Sequence, residues 1–372
     1  MDKGLDIDVL RHLLAYHAAL YTAGRTAASA VSQYRQTLKT VANGGAFLPR
    51  VIARFGESGV KPRWDLADRA LKWGATPSHH LISVDDARYP VLLREIAVPP
   101  PVLFVAGAAE FLTHAQIAIV GSRKATKPGC EFATDIACEL AAFGLVITSG
   151  LAFGIDACAH RGALKVGVTI AVLGCGIDRI YPSRHQDLAM EISRSGAVIS
   201  EFPLGAPPRK HHFPQRNRII SGLARGTIVV EAAKRSGSIS TAMHAAEQGR
   251  EVFAVPGSVR NPMSKGCHAL IAQGAKLIEC AADVVGEFTD LPLAVLPAAT
   301  RTRTVVHANS VAASLGRRET EAFEACGWEP FTMDQIIFHS GLTAQDVSSM
   351  LLTLELAGQI AMHAAGTYIR IR

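Results

Sequence analysis

Ile117-Ala118-Ile119-Val120-Gly121-Ser122-Arg123, followed after Pro128 by a helical pattern from Gly129 to Phe143 and then by Leu145-Val146-Ile147-Thr148, is the stretch on which the fold turns. Each apolar run is too short for a helix and too uniformly apolar for a sheet with one wet face, which predicts strands buried on both sides. Similar runs recur at Val168 to Leu173, Ala197 to Ser200, Thr227 to Val230 and Val252 to Val255, alternating with amphipathic segments. From Gln116 to about Asp290 the chain therefore reads as a parallel, doubly wound α/β sheet. Ligands of such sheets bind beyond the C-terminal strand ends, so Gly121, Gly150, Gly174 and Gly257, each closing a strand run, mark the turns where binding or chemistry is sought.

Outward from this core the pattern changes. Residues 1–80 carry helical spacing, as in Val9, Leu10, Leu13, Leu14 and Tyr16, then Leu48, Val51 and Ile52, and read as a small helical domain. Pro90 and Pro99-Pro100-Pro101 punctuate connecting sequence between His80 and Gly107, where interior helix or central strand is not expected. The core is assigned to 81–290. Residues 291–314, rich in Ala, Thr, Val and Pro, form a linker. Residues 315–372, with Met333 to Phe338, a turn at Ser340-Gly341, a helix over Thr343 to Ala357 and a hairpin around Gly366, read as a winged helix-turn-helix.

Composition limits the classes. With 372 residues, 49% apolar and 19% charged, the chain is neither disordered nor fibrous. Seven cysteines without a C-x-x-C pair argue against a disulfide framework and a zinc site, and point to a reducing cytoplasm. Met1 to Leu20 carries Asp2, Asp6 and Asp8 and does not read as a secretory signal. Apolar stretches such as Gly167 to Ile177 fall short of the roughly 20 residues of a membrane helix. His79-His80 and His211-His212 diverge from each other on helix or strand, so no metal is expected.

The turns carry the functional signal. At Gly121-Ser122-Arg123 a strand end feeds a helix start, where backbone amides, the helix dipole and Arg123 can meet one phosphate. The spacing is not G-x-G-x-x-G, which disfavours a dinucleotide. A second turn, Gly150 to Gly154, precedes Asp156, read as a helix cap, and His160, read as a packed histidine. A third, Ser236-Gly237-Ser238, offers hydroxyls and amides at another helix start.

Charge is concentrated. The net charge is +6, with 13 basic against 10 acidic residues in 1–110, 19 against 15 in 111–290 and 6 against 7 in 291–372. Arg209, Lys210, Arg216, Arg218 and Arg225 lie in one acid-free stretch around Phe213 and Asn217. Cations interleaved with an aromatic suit single-stranded nucleic acid, phosphates meeting the cations and a base stacking on the ring.

Five segments together resemble the DprA family, also called Smf, the DNA-processing proteins of natural transformation. They are Val120 to Arg123, Thr148 to His160, Ala171 to Pro182, Phe213 to Leu223 and Phe253 to Ser258, in the expected order. The resemblance implies an extended Rossmann-like core flanked, more loosely, by a SAM-like helical domain and a winged helix. It also implies a cytoplasmic homodimer, dimerising through that core, without cofactor or catalytic group, that protects incoming single-stranded DNA and loads the recombinase RecA. Carried over by position, phosphate binding falls on Gly121, Ser122 and Arg123, and DNA contacts on Lys210 and Phe213 beside Arg216, Asn217 and Arg218. Gly150 and Ser236-Gly237-Ser238 complete the expected rim.

Two features qualify the expectation. Thr343 to Ala357 contains Asp346 and Glu355 and no Lys or Arg, whereas a duplex-reading helix brings cations to phosphate, so a protein contact or self-association is expected of the terminal domain instead. The alternative class is a nucleotide-processing enzyme like the lysine-decarboxylase-like phosphoribohydrolases. Those carry a Pro-Gly-Gly-x-Gly-Thr turn followed by a catalytic Glu, whereas the turn at Ser236 to Thr241 has no acid after it until Glu247.

Overall fold

The computed structural model describes residues 7–22, 52, 61–289, 321–323, 326, 330–356, 359–362 and 366–370. The linker expected at 291–314 and the Leu48 and Val51 positions lie outside the described residues. The chain divides into two compact units, Met1–Val295 and Leu296–Arg372.

The first unit is built on a nine-stranded sheet. Its strands are β1 (His79–Ser83), β2 (Val102–Gly107), β3 (Gln116–Gly121), β4 (Val146–Ser149), β5 (Thr169–Val172), β6 (Ala197–Ser200), β7 (Gly226–Val230), β8 (Glu251–Ala254) and β9 (Lys276–Leu277). They lie in the order β1-β2-β6-β5-β4-β3-β7-β8-β9. The seven from β6 to β9 run parallel, as the buried apolar runs predict. β1 and β2 add an antiparallel margin on β6. That margin corrects the expectation of mere connection between His80 and Gly107: Val102 to Val105 form a fully buried strand inside the sheet, and Pro99, Pro100 and Pro101 stand just before it, where no ladder N–H is needed.

Alternation within the strands feeds two cores. Ile117, Ile119, Ile228 and Val230 face α4 (Lys127–Ala142), α5 (Ile155–Leu164) and α10 (Ala281–Val285), while Ala118, Val120 and Val229 face α7 (His212–Leu223), α8 (Gly237–Glu247) and α9 (Lys265–Ala272). The second core also takes in α1 (Ile7–Thr22), α2 (Trp64–Gly74) and the short α3 (Val91–Arg94), so the described N-terminal helices belong to the unit that holds the sheet. The remaining helix, α6 (Gln186–Ser195), links β5 to β6.

The chain leaves β3 towards β4 on one side and returns to β7 on the other. The crevice between β3 and β7 is thus the topological switch point, and Ser122 and Glu231 are the residues that follow its two strands.

The second unit is a winged helix. α11 (Met333–Ser340) opens with a capping box between Thr332 and Gln335 and stops at Gly341, whose φ of 66° is left-handed. α12 (Ala344–Leu356) buries Val347, Met350, Leu351 and Leu354. β10 (Phe331–Thr332), β11 (Ile360–Met362) and β12 (Thr367–Arg370) form a sheet in the order β10-β12-β11, so the expected hairpin around Gly366 is present.

Candidate nucleic-acid interface

Helix α7 lies across the C-terminal rim of the sheet and stitches its turns together. Phe213, Arg216 and Asn217 stand at i, i+3 and i+4, on one face. Each reaches a different strand end. The Arg123 guanidinium lies 5.5 Å from the centre of the Phe213 ring, joining the turn after β3. Arg216 donates from Nη1 to Gly150 O at 2.8 Å and to Val172 O, joining the ends of β4 and β5. Asn217 donates from Nδ2 to Gly237 O at 3.2 Å, joining the start of α8 beyond β7. Three turns singled out from the sequence are therefore brought to one rim by one helix.

The residues divide sharply in what they leave open. Arg123, Lys210 and Gly237 are exposed, and Phe213 is half-buried. Arg216 is only 4% exposed and is spent on backbone carbonyls, so it builds the rim and offers no charge to a phosphate. Gly150 is glycine because of it: a Cβ there would lie 2.4 Å from Arg216 Nη1. Beneath the same turn the buried Asp156 accepts from Gly150 N at 3.1 Å and Ala152 N at 3.3 Å, so it pins the turn and is not the expected cap of α5, whose N-cap is Gly154. Burial holds its carboxyl above the ordinary range and draws the Arg216 guanidinium down to about 10, each charge partly offsetting the shift of the other. Arg218 is likewise internal, donating to Glu201 Oε1 and Oε2 at 2.8 and 2.6 Å and to Val98 O at 3.1 Å. Asn217 is buried as well.

The turn after β3 also differs in detail from the sequence expectation. α4 begins at Lys127 with Thr126 as its cap, and the positive end of that helix is answered from inside the protein. The Glu231 carboxylate accepts from Thr126 N at 2.8 Å and from Thr126 Oγ1, while Thr126 Oγ1 accepts from Gly129 N at 3.1 Å. Ser122 is buried and knots the switch point: its N–H donates to Glu231 O at 2.7 Å and its carbonyl accepts from Ile155 N at 3.1 Å. The Arg123 guanidinium remains open to an anion here, and Lys124 and Lys127 of the same turn are exposed beside it in sequence. Glu231 itself holds a φ of 51°, a left-handed backbone that the two clasping contacts maintain. Gly121 pairs with Val230 at the end of the sheet ladder.

At the third turn Ser236 caps α8, accepting from Ser238 N at 3.3 Å, and the two hydroxyls lie 2.6 Å apart. Lys210 stands exposed three residues before Phe213. The basic loop is braced from behind by the N-terminal helices: Gln215 donates to the Tyr21 hydroxyl at 3.1 Å, and Arg69 pairs with Asp178, which also accepts from Gly205 N at 2.7 Å.

His160 is packed, as expected. Thr169 donates to Ile147 O at 2.6 Å, so its oxygen accepts from His160 Nδ1 at 2.7 Å, and the neutral imidazole has its pKa lowered by burial to about 3. Among the described residues no group of three His, Cys, Asp or Glu could hold a metal ion, and no helix is long and apolar enough to cross a membrane.

Several residues of the site escaped sequence reasoning. The Tyr181 ring, next to Phe213, lay inside a quoted motif without a role. Glu231 and Glu201 are acids outside the basic stretch whose partners only the fold supplies. The burial of Arg216, by contrast, had a signal: it stands three, four and seven residues before Ile219, Ile220 and Leu223, in phase with the apolar stripe.

Comparison with known proteins agrees with this architecture. Residues 80–289 match the family model described as DNA recombination-mediator protein A, and residues 307–366 match that of the DprA winged helix domain. Protein Smf of Escherichia coli is 44% identical over 307 residues, covering 82% of this chain and 81% of that protein. The DNA processing protein DprA of Streptococcus pneumoniae is 47% identical over 207 residues, 55% of this chain and 73% of the relative. The X-ray structure of DprA from Streptococcus pneumoniae superposes with a TM-score of 0.60 at 35% identity, covering 76% of this chain and 97% of the other. A Helicobacter pylori DNA processing protein A structure, described for its single-stranded DNA binding mode, gives a TM-score of 0.50 at 30% identity over 53% of this chain and 91% of that one. With its switch-point rim, its winged helix and these relatives, the chain belongs to the DprA/Smf family of DNA-processing proteins.

Proposed function

We propose that this chain binds single-stranded DNA along the C-terminal rim of its sheet, protects it, and passes it to a RecA-type recombinase. The observation that carries the binding step is the single helix face that gathers the three strand-end turns and sets Arg123 over Phe213, with Lys210 exposed beside them. A guanidinium beside a half-open ring can hold a phosphate while the ring takes a base, a combination a stacked duplex does not offer. The single-stranded DNA binding described for the Helicobacter pylori relative supports the same polymer here. Transfer to RecA and a cytoplasmic location are part of the same proposal, and membership of the family supports them.

No catalytic role is assigned. An enzyme of the phosphoribohydrolase type needs a carboxylate at the rim, and the acids here are committed elsewhere. Glu231 is held by Thr126, Asp156 is buried under two amides, and Glu247 sits at the far end of α8, 3.3 Å from His244. Pairing of two copies through the core is supported by β9, an outer strand with Leu277 44% exposed. Light scattering should show Leu277→Asp shifting the chain towards monomer, and an unchanged mass removes that surface.

The binding proposal is tested by electrophoretic shifts of single-stranded and duplex oligonucleotides across ionic strengths. Wild type should prefer the single strand, and Arg123→Ala should lower the log–log salt slope by about 0.7. Equal affinity for both polymers, with no effect of Arg123→Ala, overturns it. Incubation with nucleoside monophosphates tests the enzyme reading, which released base would favour.

A further inference from the structure

The loop between β5 and α6 carries the Tyr-Pro end of a quoted motif, and the fold holds it against the basic segment. Gly176 N donates to Ala206 O at 2.9 Å, Gly205 N donates to Asp178 Oδ1 at 2.7 Å, and Ser200 Oγ donates to Cys175 O at 2.6 Å. Within the loop Arg179 N donates to Gly176 O at 2.9 Å, and Cys175 Sγ to Arg179 O at the same distance. Pro182, which follows Tyr181, is buried. The loop is thus anchored without using the Tyr181 ring.

That ring is 46% exposed, and its hydroxyl has no hydrogen-bond partner among the described residues. Its centre lies 5.5 Å from that of Phe213, with the planes tilted by 47°. Phe213 is backed by the strand end at Gly174, where a Cβ would lie 2.9 Å from Phe213 Cδ1. Phe213 therefore has Arg123 and Tyr181 as neighbours, a cation and a second ring set beside it. An exposed aromatic that contributes little to its own loop but sits beside a stacking ring is suited to a flat, apolar, unpaired ligand group.

We propose that Tyr181 is a second base-stacking residue, taking the base next to the one held by Phe213. This rests on the reading of the rim as a single-stranded DNA site. The ring separation exceeds the rise of about 3.4 Å per nucleotide along a duplex strand, so consecutive bases are splayed, one to each ring. The arrangement would favour an unpaired strand through its bases as well as its backbone.

Stacking needs a base, whereas a phosphate contact does not. The full chain is therefore titrated with oligo-dT and with an abasic deoxyribose-phosphate strand of equal length. Tyr181→Ala should weaken oligo-dT binding about tenfold and leave both the salt slope and the abasic affinity unchanged. Tyr181→Phe should stay within about twofold of wild type. Tyr181→Trp should report directly, its added fluorescence being quenched by oligo-dT and not by the abasic strand. The proposal is overturned if Tyr181→Ala binds oligo-dT like wild type, if it loses equally on both strands, or if the tryptophan variant shows no base-dependent quenching. Arg123→Ala separates the two levels: weaker binding to both strands there, with Tyr181→Ala silent, removes Tyr181 and keeps the rim. An Arg123→Ala that changes neither strand removes the rim itself.

Discussion

The basic stretch has two halves that look alike as sequence and behave as opposites in the fold. Arg209 and Lys210 are exposed on the approach to Phe213, whereas Arg216 and Arg218 point inward and Arg225 reaches the other end of the sheet, 5.4 Å over the Phe288 ring. Five cations in a run therefore make one short exposed edge and a set of internal braces. Arg209 and Lys210 lie in the loop before α7, whereas on α7 itself a charge on the apolar face is buried with its neighbours and must find partners there. Density of positive charge along a chain thus overstates the charge a ligand meets.

The largest expected effect attacks the buried half. Arg218 and Glu201 form a two-point ion pair with side chains 12% and 1% exposed, and removing one partner leaves the other charged and buried. Arg218→Ala should lose about 3–5 kcal/mol of unfolding free energy in denaturant titration. Arg218→Met combined with Glu201→Leu should recover most of it, since replacing both charges with apolar groups is close to neutral. If Arg218→Ala folded as stably as wild type but bound oligo-dT poorly, the division between the halves would fail. Because Lys276 also pairs with Glu287 and Arg69 with Asp178 on exposed ground, those pairs make the natural controls, and breaking them should cost under about 1 kcal/mol.

That contrast also shows what was readable in advance. The six parallel strands from β3 to β8 were legible because burial on both faces writes itself as short, unbroken apolar runs. β2 carries the same kind of run at Val102 to Val105, yet the three prolines before it read as a loop, since a proline at a strand start and one inside a strand look the same without the partner strand. In the site, the turns and the sign of the charge were legible. The direction of Arg216 and Arg218 was not, because Glu201 is 17 positions from Arg218, and Gly150 and Val172 are 66 and 44 positions from Arg216. Nor was the closure of the α4 terminus by Glu231, 105 positions from Thr126.

Acid should reach the braces before the rim. His17, His160 and His212 are buried, with their pKa values lowered by desolvation to about 4, 3 and 4, below the usual 6.5. The unfolded chain therefore binds these protons first. Their contribution is complete above about pH 6.5 and declines as the pH falls towards 4, by up to about 1.4 kcal/mol per pH unit for each imidazole. Asp156, held above its ordinary value, works in the opposite sense and offsets part of the loss at the acid end. Thermal unfolding from pH 7 to 4 should show this decline, and replacing His212 with Phe should make it shallower by that one imidazole's share, His17 and His160 keeping theirs. His212 stacks on Phe202 at 4.2 Å behind the basic loop, so a flat profile in wild type would mean that this packing is looser than described.

On the exposed half the effects are smaller and concern binding alone. Phe213→Ala should weaken oligo-dT binding by about 1–3 kcal/mol with the salt slope intact, because a ring gives stacking without releasing counterions. A changed slope would mean that losing the ring also moves Arg123, which rests 5.5 Å away, and Phe213→Leu would then restore the slope without restoring the affinity.

Lys210→Ala should have the smallest effect and test the comparison most sharply. It is exposed and makes no hydrogen bond or ion pair among the described residues, so its removal should leave unfolding unchanged. A single lost phosphate contact lowers the log–log salt slope by about 0.7, which at roughly 0.15 M salt corresponds to a loss of about fourfold in affinity. The effect should vanish towards 1 M salt and be the same for oligo-dT and an abasic strand, since an ammonium meets the backbone whichever base it carries. Lys210→Arg should retain it. If Lys210→Ala instead lowered stability, the loop would be using this cation internally, as α7 uses Arg216 and Arg218, and Arg123 would remain the rim's phosphate contact.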